Sequence, residues 1–229
     1  MCQFFYPDGT KIEKDEFVKF YSKVYYYLYR NLSLEHRMDC ILESDVLSRR
    51  DLIDILRWKI GAATFDYTSE VVASRRGRID VGELTDQFGF DRTETSFPKE
   101  KFWKDSPEGT LSLLSAADNI GPVYAITLLY FLSKGDYPIY DKFAHIAIKM
   151  ICEGKDFRQL VGEEELKKEI HRDSDKTAEI FNEYQAKYVE RIKSVFQDEY
   201  KINRDIDRAL WVYGHLFNDT KSNAYRLEE

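Results

Sequence analysis

The chain is poor in cysteine, and this argues against a fold held together by disulfides or by a zinc site. Its 229 residues include three cysteines, Cys2, Cys40 and Cys152, and no two of them form a CxxC pair. An odd number of cysteines without such a pair favours reduced thiols over a disulfide framework or a zinc site. We therefore expect neither a metal nor another cofactor.

Long apolar runs are also missing. No run approaches the ~20 consecutive apolar residues that a membrane-spanning helix needs. The first residues, Met1-Cys2-Gln3-Phe4-Phe5, lack the charged start and the small-residue cleavage site of a secretory signal. We expect a cytoplasmic protein without a membrane partner, and the sequence gives no indication of its oligomeric state.

Positive charge is in deficit. Lysine and arginine total 34 against 41 aspartates and glutamates, so the formal net charge is −7. This balance argues against general nucleic-acid binding, which normally requires a basic surface. Local concentration of positive charge can outweigh it, and two clusters of basic residues occur: Arg49, Arg50, Arg57 and Lys59, and then Arg75, Arg76 and Arg78. The alternative interpretation is that these residues are solvated helix faces and a loop.

Apolar and aromatic residues are plentiful, at 43% and 15% of the chain, and can bury the interior of one large domain or two small lobes. Most apolar residues recur at helical spacing, and Ser48 with Asp51 forms a capping box. The region 91–109 is predicted to be irregular but anchored by Phe97, Phe102 and Trp103. The spacing predicts helices over about 14–30, 33–42, 49–60, 69–76, 81–88, 111–117, 122–132, 142–151, 163–168, 175–195 and 203–217.

A polar hairpin, Asp118-Asn119-Ile120-Gly121-Pro122, joins two of these apolar helices. Asn119 and Gly121 tolerate a positive φ, which a tight reversal needs, and Pro122 favours the first turn of a helix. Ala125 is small enough to let the two helices approach closely. Such a hairpin leaves backbone N–H groups at a helix N-terminus, where they can bind a phosphate oxygen.

These residues resemble the helix-hairpin-helix DNA glycosylase superfamily. Asn119-Ile120-Gly121 stands where the family usually has Gly-hydrophobic-Gly, and Ala125 takes the family's small position. Pro138-Ile139-Tyr140-Asp141 matches the family's Pro-hydrophobic-hydrophobic-Asp. The spacing from Gly121 to Asp141 is similar to that of the mismatch adenine glycosylase branch, and the resemblance is specific over residues 111–148.

The resemblance implies an all-α fold with two helical lobes and a cleft between them. We expect a single two-lobed domain, in which residues 64–152 form the lobe that contains the hairpin. The second lobe would combine residues 1–63 with residues 153–217, and residues 218–229 would be a frayed tail.

The resemblance also implies an activity, the excision of a damaged or mismatched base from double-stranded DNA. In the family the aspartate equivalent to Asp141 is catalytic: it stabilises the positive charge that develops on the sugar, or helps to activate the attacking nucleophile, after the base has been flipped out. The backbone of Asn119, Ile120, Gly121 and Val123 would hold a DNA phosphate. Further candidates for the base pocket or for DNA contacts are Trp58, Trp103, Tyr140, Lys142 and His145. Core packing is the alternative for Trp58, and anchoring of the loop is the alternative for Trp103.

Three departures from the family pattern narrow the expected chemistry. Bifunctional members place a lysine nucleophile two residues after the hairpin glycine, and Val123 stands there, so we expect hydrolysis without lyase activity. Many members carry a basic residue in the helix after the aspartate, where this chain has His145 and then Ile146. The four-cysteine iron–sulfur loop of some branches is absent. Since Asp141 also suits the N-cap of the next helix, the alternative is a non-catalytic DNA-binding or protein-interaction domain that retains only the fold.

Overall fold

A computed structural model describes residues 2–28, 32–61, 70–74, 77–154 and 177–221. This part of the chain is mostly helical, as predicted. Its helices are α1 Lys14–Leu28, α2 Leu32–Glu43, α3 Arg49–Ile60, α4 Val81–Asp86, α5 Pro107–Ala116, α6 Pro122–Leu132, α7 Lys142–Glu153, α8 Thr177–Tyr184, α9 Glu190–Phe196, α10 Glu199–Ile202 and α11 Arg204–Lys221. A 3-10 turn spans Lys99–Phe102, and a π-helical segment, Gln185–Val189, lies between α8 and α9. Among the described helices, none has the length and apolar character that a bilayer crossing requires.

Within the described ranges three short two-stranded antiparallel sheets accompany the helices, and the fold stays predominantly helical. The strands are β1 Phe4–Phe5, β2 Lys11–Ile12, β3 Val46–Ser48, β4 Val71–Ser74, β5 Gly77–Asp80 and β6 Ser96–Pro98. They pair as β1 with β2, β3 with β6 and β4 with β5. The predicted irregular region 91–109 therefore contains a strand, β6, as well as a 3-10 turn.

The predicted helix over 69–76 is wrong, because β4 occupies its described part. Val72 pairs with Ile79 of β5, and both side chains are buried. Side chains of a strand alternate between its two faces. In a segment this short, with one buried valine, the spacing of apolar residues fits a strand as well as it fits a helix. The following helix, α4, was predicted correctly and is capped by the Asp80 side chain.

The described chain divides into two compact units. The terminal unit comprises Met1–Tyr29, Tyr140–Ile170 and Tyr184–Glu229, and the hairpin unit comprises Arg30–Ile139 and His171–Glu183. These bounds differ from the predicted lobes, since residues 30–63 group with the hairpin and residues 140–152 group with the terminal helices. The predicted helix 163–168 and the first two residues of the predicted helix 175–195 lie outside the described residues, as do residues 222–229 of the predicted tail.

In the terminal unit, α11 packs against both α1 and α7. Phe17, Tyr21 and Tyr213 form an aromatic core between α1 and α11, with ring centroids 4.8 to 5.2 Å apart. The Tyr21 hydroxyl donates to the Phe5 carbonyl at 2.9 Å, which fixes β1 to α1. Burial of this side chain raises the pKa of Tyr21 far above its ordinary value, so the phenol stays a donor.

The contact between α7 and α11 is unusually close at Gly214. A Cβ at this position would overlap the backbone carbonyl of Phe143, in the first turn of α7. The Phe143 ring stacks on His215, with ring centroids 3.5 Å apart and an interplanar angle of 27°. Glycine at position 214 therefore lets α11 fix the first turn of α7.

In the hairpin unit, α6 is buried along almost its whole length and packs against α2, α3 and α5. The helix α3 begins with the predicted capping box, in which Ser48 accepts from the Asp51 N–H and the Asp51 carboxylate accepts from the Ser48 N–H. It ends at Gly61, whose φ of 73° is left-handed, as a C-terminal glycine allows. Both ends of this helix were predicted from the sequence.

The contact at Gly214 predicts the sign of a stability change. Helix propensity alone favours Gly214→Ala by about 1 kcal/mol. The overlap with the Phe143 carbonyl forces the two helices apart, and overpacking of this kind costs about 1–3 kcal/mol or more. We therefore expect Gly214→Ala to lower the free energy of unfolding, measured by urea denaturation, and Gly214→Ser to lower it further. The exposed substitution Ser112→Ala in α5 is the control, and an increase in stability for Gly214→Ala would contradict the contact.

Candidate functional site

The loop between α5 and α6 forms the predicted hairpin, with one difference. Asn119 has a φ of 64°, in the left-handed region, whereas Gly121 has an extended conformation at φ −85° and ψ 169°. One left-handed residue is enough for the reversal, because the Ile120 N–H already donates back to the Ala117 carbonyl at 3.2 Å. Gly121 instead serves as the N-cap of α6 and Pro122 as its first residue.

The start of α6 has two backbone donors without an acceptor in the described residues. The N–H groups of Tyr124 and Ala125 both donate to the Gly121 carbonyl, at 2.9 and 3.0 Å. Pro122 has no N–H, and the N–H groups of Gly121 and Val123 have no acceptor in the described part of the chain. Such groups at the positive end of a helix dipole suit a phosphate oxygen.

The side chain of Asn119 is occupied within the hairpin unit. Its Nδ2 donates to the Arg78 carbonyl of β5 at 2.9 Å. Gly77, with a φ of 140°, leaves room for it, since a Cβ there would lie 2.6 Å from Asn119 Oδ1. Asn119 can therefore contribute its backbone to a phosphate site while its side chain holds the β4–β5 hairpin against the loop.

Asp141 is the N-cap of α7, as its residue type indicated. It has extended backbone angles, and its Oδ1 accepts from the Phe143 N–H at 2.8 Å. Its carbonyl accepts from the His145 N–H at 2.8 Å. The carboxylate is half-buried, so its orientation is fixed while solvent still reaches it. Its capping role is confirmed, and its catalytic role stays a prediction.

Beside Asp141 lies a buried cluster of aromatic rings with polar ends. The ring of Tyr140 lies 5.7 Å from that of His145 and 5.2 Å from that of Tyr188. Tyr188 also lies near Tyr184, at 6.0 Å between centroids. Burial first, and then the negative charges of Asp207 and Asp141 with other groups, raises the pKa of Tyr188 well above its ordinary value.

The predicted site residues did not include Tyr188, which falls within the predicted helix 175–195. The structure places it in the π-helical segment Gln185–Val189. Single π-helical turns inside helices occur often at functional sites, but nothing in the spacing of Tyr184 and Tyr188 distinguishes such a turn from a regular helix. Residue types and their spacing alone therefore do not reveal this π-helical turn.

His145 is a buried, neutral histidine. Its side chain is 3% exposed, and its Nδ1 has no hydrogen-bond partner in the described residues. Burial, and then the positive charges of Arg191, Lys149 and Lys187, lowers the pKa of His145 to about 4. It therefore does not carry at neutral pH the positive charge that many members of the resembled family have in the corresponding helix.

The other candidates have different environments. Lys142 is exposed, and its Nζ lies 4.7 Å from the centre of the Phe143 ring. Trp58 is 9% exposed, donates its indole N–H to the Glu35 carboxylate and meets the Phe131 ring edge-on at 5.9 Å. These contacts agree with the core-packing alternative for Trp58. Trp103 is half-buried, with its ring 6.3 Å from that of Tyr137.

The candidates fall into both units. Asn119, Ile120, Gly121, Val123, Trp58 and Trp103 belong to the hairpin unit, and Tyr140, Asp141, Lys142 and His145 belong to the terminal unit. Tyr140, Asp141, Lys142 and His145 lie together at the start of α7, and the cleft between two lobes stays a prediction.

Two arginines of the first basic cluster, Arg49 and Arg50, are used within the hairpin unit. Arg49 is buried and donates to the Thr85 hydroxyl at 3.0 Å and to the carbonyls of Asp91 and Glu94 at 3.2 Å. Arg50 pairs with Asp54 at 3.2 Å. Arg49 therefore stabilises the fold from the interior, and the charge of Arg50 is paired with a carboxylate.

No cluster of three or more histidine, cysteine, aspartate or glutamate side chains suited to a metal ion occurs in the described ranges. Comparisons of the chain with protein families, with curated proteins and with solved structures found no match.

The buried His145 predicts a loss of stability in acid. An unfolded histidine titrates near 6.5 and the folded one near 4, so between these values the unfolded chain binds more protons. The contribution is complete above pH 6.5 and is lost as the pH falls towards 4. We expect His145→Gln to reduce the drop in unfolding free energy between pH 7 and pH 5 by about 2 kcal/mol. The exposed His36→Gln is the control, and equal pH profiles for His145→Gln and the wild type would refute the assignment.

Proposed function

We propose that the protein is a DNA base-excision glycosylase-like enzyme that hydrolyses the N-glycosidic bond of a flipped base without lyase activity. The observation that carries this proposal is the hairpin. Residues that resemble the family motif adopt a one-residue left-handed reversal, and two N–H groups at the start of α6 have no acceptor among the described residues. Within this proposal the hairpin binds the DNA backbone and Asp141 carries the chemistry.

The hairpin is suited to a chain with a net charge of −7. Backbone N–H groups and a helix dipole bind a phosphate at short range and independently of base sequence. They require fewer lysine and arginine contacts than a basic groove does. A basic groove would make the affinity for DNA depend strongly on salt concentration. The acidic composition thus lowers the expected affinity for DNA without removing the phosphate site.

Asp141 is suited to stabilise a cation on the sugar. In the proposed hydrolysis the bond between the sugar C1′ and the base nitrogen breaks, and its electron pair leaves with the base. Positive charge then develops on the sugar, a water oxygen adds to C1′, and the proton that the water loses is taken up by the departing base. A carboxylate held by the Phe143 N–H is oriented before the reaction begins, and such fixed charges contribute most to lowering the barrier.

The alternative is a non-catalytic domain that binds DNA or a protein. The net charge of −7 and the internal use of Arg49 and Arg50 favour it. Such a domain would bind a DNA duplex, or a protein partner, and leave every base in place.

Asp141→Asn separates the two functions. Asparagine keeps the shape and the N-cap acceptor but removes the charge, so the fold should persist. We expect base release from a panel of damaged and mismatched duplexes to fall by on the order of 100-fold or more, with DNA binding retained. The matched control is Asp80→Asn, since Asp80 caps α4 in the same way, accepting from the Gly82 N–H at 2.7 Å.

Undiminished turnover in Asp141→Asn would remove Asp141 from the mechanism. Binding of duplex DNA without turnover on any substrate of the panel would support the non-catalytic alternative. No binding of any duplex by the wild type at low salt would overturn the DNA assignment, because phosphate contacts are strongest there.

The aliphatic side chain of Val123, at the position of the lysine nucleophile, leads to a prediction about the reaction product. An aliphatic side chain cannot form a Schiff base with the sugar, so the wild type should leave an intact abasic site. We expect borohydride to trap no covalent complex between the active protein and its substrate, and Val123→Lys not to create one unless the lysine reaches the sugar carbon. A trapped complex with the wild type would show that another amine acts as the nucleophile.

A further inference from the structure

We propose that the β4–β5 hairpin is a second DNA-contacting element and that Arg78 on it binds a backbone phosphate. This inference rests on the proposed DNA function. The β4–β5 hairpin is joined to the α5–α6 loop by the hydrogen bond from Asn119 Nδ2 to the Arg78 carbonyl, at 2.9 Å. The Arg78 backbone is therefore bonded to Asn119, and Asn119 precedes Gly121 by two positions in the loop.

The register of the sheet directs Arg78 outward. Val72 pairs with Ile79, and these side chains are 3% and 0% exposed, so they form the inner face. Ala73 pairs with Arg78 in the adjacent row, and both residues are exposed. Since side chains alternate between the faces of a strand, Arg78 lies on the outer face of the hairpin.

The charge of Arg78 is not neutralised in the described part of the chain, where no acidic partner contacts it. Other arginines of the hairpin unit behave differently. Arg50 pairs with Asp54 at 3.2 Å, and Arg92 pairs with Asp86 at 2.8 Å. An exposed, unpaired guanidinium on a strand whose backbone is bonded to the α5–α6 loop is complementary to a DNA phosphate, and it contributes no base specificity.

Gly77 and Asn119 maintain this arrangement. A Cβ at Gly77 would lie 2.6 Å from Asn119 Oδ1 and 2.8 Å from Asn119 Cγ, so the amide fills the space that the glycine leaves. The Ser74 hydroxyl donates to the Gly77 carbonyl at 2.9 Å and closes the end of the sheet. The position of Arg78 relative to the α5–α6 loop is thus set by side chains that are distant in sequence.

The test is the salt dependence of binding to a short undamaged DNA duplex by the full chain. Loss of one phosphate contact lowers the slope of log K against log salt by about 0.9. Arg78→Ala should therefore lose about threefold more affinity, relative to the wild type, at 50 mM salt than at 200 mM salt. The exposed Arg92→Ala, whose charge is already paired, should keep the slope of the wild type.

Asn119→Gly adds a test of the connection. Glycine keeps the left-handed backbone conformation, leaves the net charge unchanged and removes the amide that holds the β4–β5 hairpin. In this background the effect of Arg78→Ala on the slope should be smaller, whereas additive effects would contradict the connection. A wild-type slope in Arg78→Ala would overturn this inference and leave the glycosylase proposal standing, while failure of the wild type to bind DNA at 50 mM salt would overturn both.

Discussion

At Gly214 the helix α11 passes so close to the Phe143 carbonyl that a methyl group would not fit between them. Phe143 is also the residue whose N–H donates to the Asp141 carboxylate. The same peptide segment therefore receives the packing of α11 on one side and orients the candidate catalytic group on the other. The ring of Phe143, stacked on His215, resists rotation of this turn. The contact at Gly214 therefore holds the turn of α7 whose N–H orients Asp141.

The helical elements could be predicted from local sequence because their signals are local. Ser48 with Asp51, Gly61, Pro122 and Asp141 each specify a helix end through bonds to residues a few positions away. The β4 strand could not be distinguished in this way, since its stability comes from pairing with β5 and from burial of Val72 against the core. The hairpin and the aspartate could be placed from their motif, whereas the surroundings of Asp141, with Tyr188 in a π-helical turn, depend on a helix distant in sequence.

The internal hydrogen-bond partners of the charged side chains also could not be predicted from the sequence. Arg49 stands at the start of a helix, where sequence alone suggests a solvated or DNA-facing residue, yet its partners Thr85, Asp91 and Glu94 lie about forty positions later. Lys99 behaves similarly: its ammonium donates to the carbonyls of Ile41 and Leu42 at 2.7 and 3.0 Å, at the end of α2. Burial, with a smaller effect of Lys134, lowers the pKa of Lys99 to about 8. Composition therefore overstates the number of cations that an acidic protein can present to DNA.

The departure of Asn119 from the glycine of the resembled motif has a structural explanation. Asparagine is among the few residues that tolerate the left-handed conformation, so the reversal is preserved. Its amide then requires an acceptor and space, and the Arg78 carbonyl and Gly77 provide them. A glycine at 119 would form the same turn without holding the β4–β5 hairpin. Asparagine at position 119 thus forms the reversal and also holds the β4–β5 hairpin.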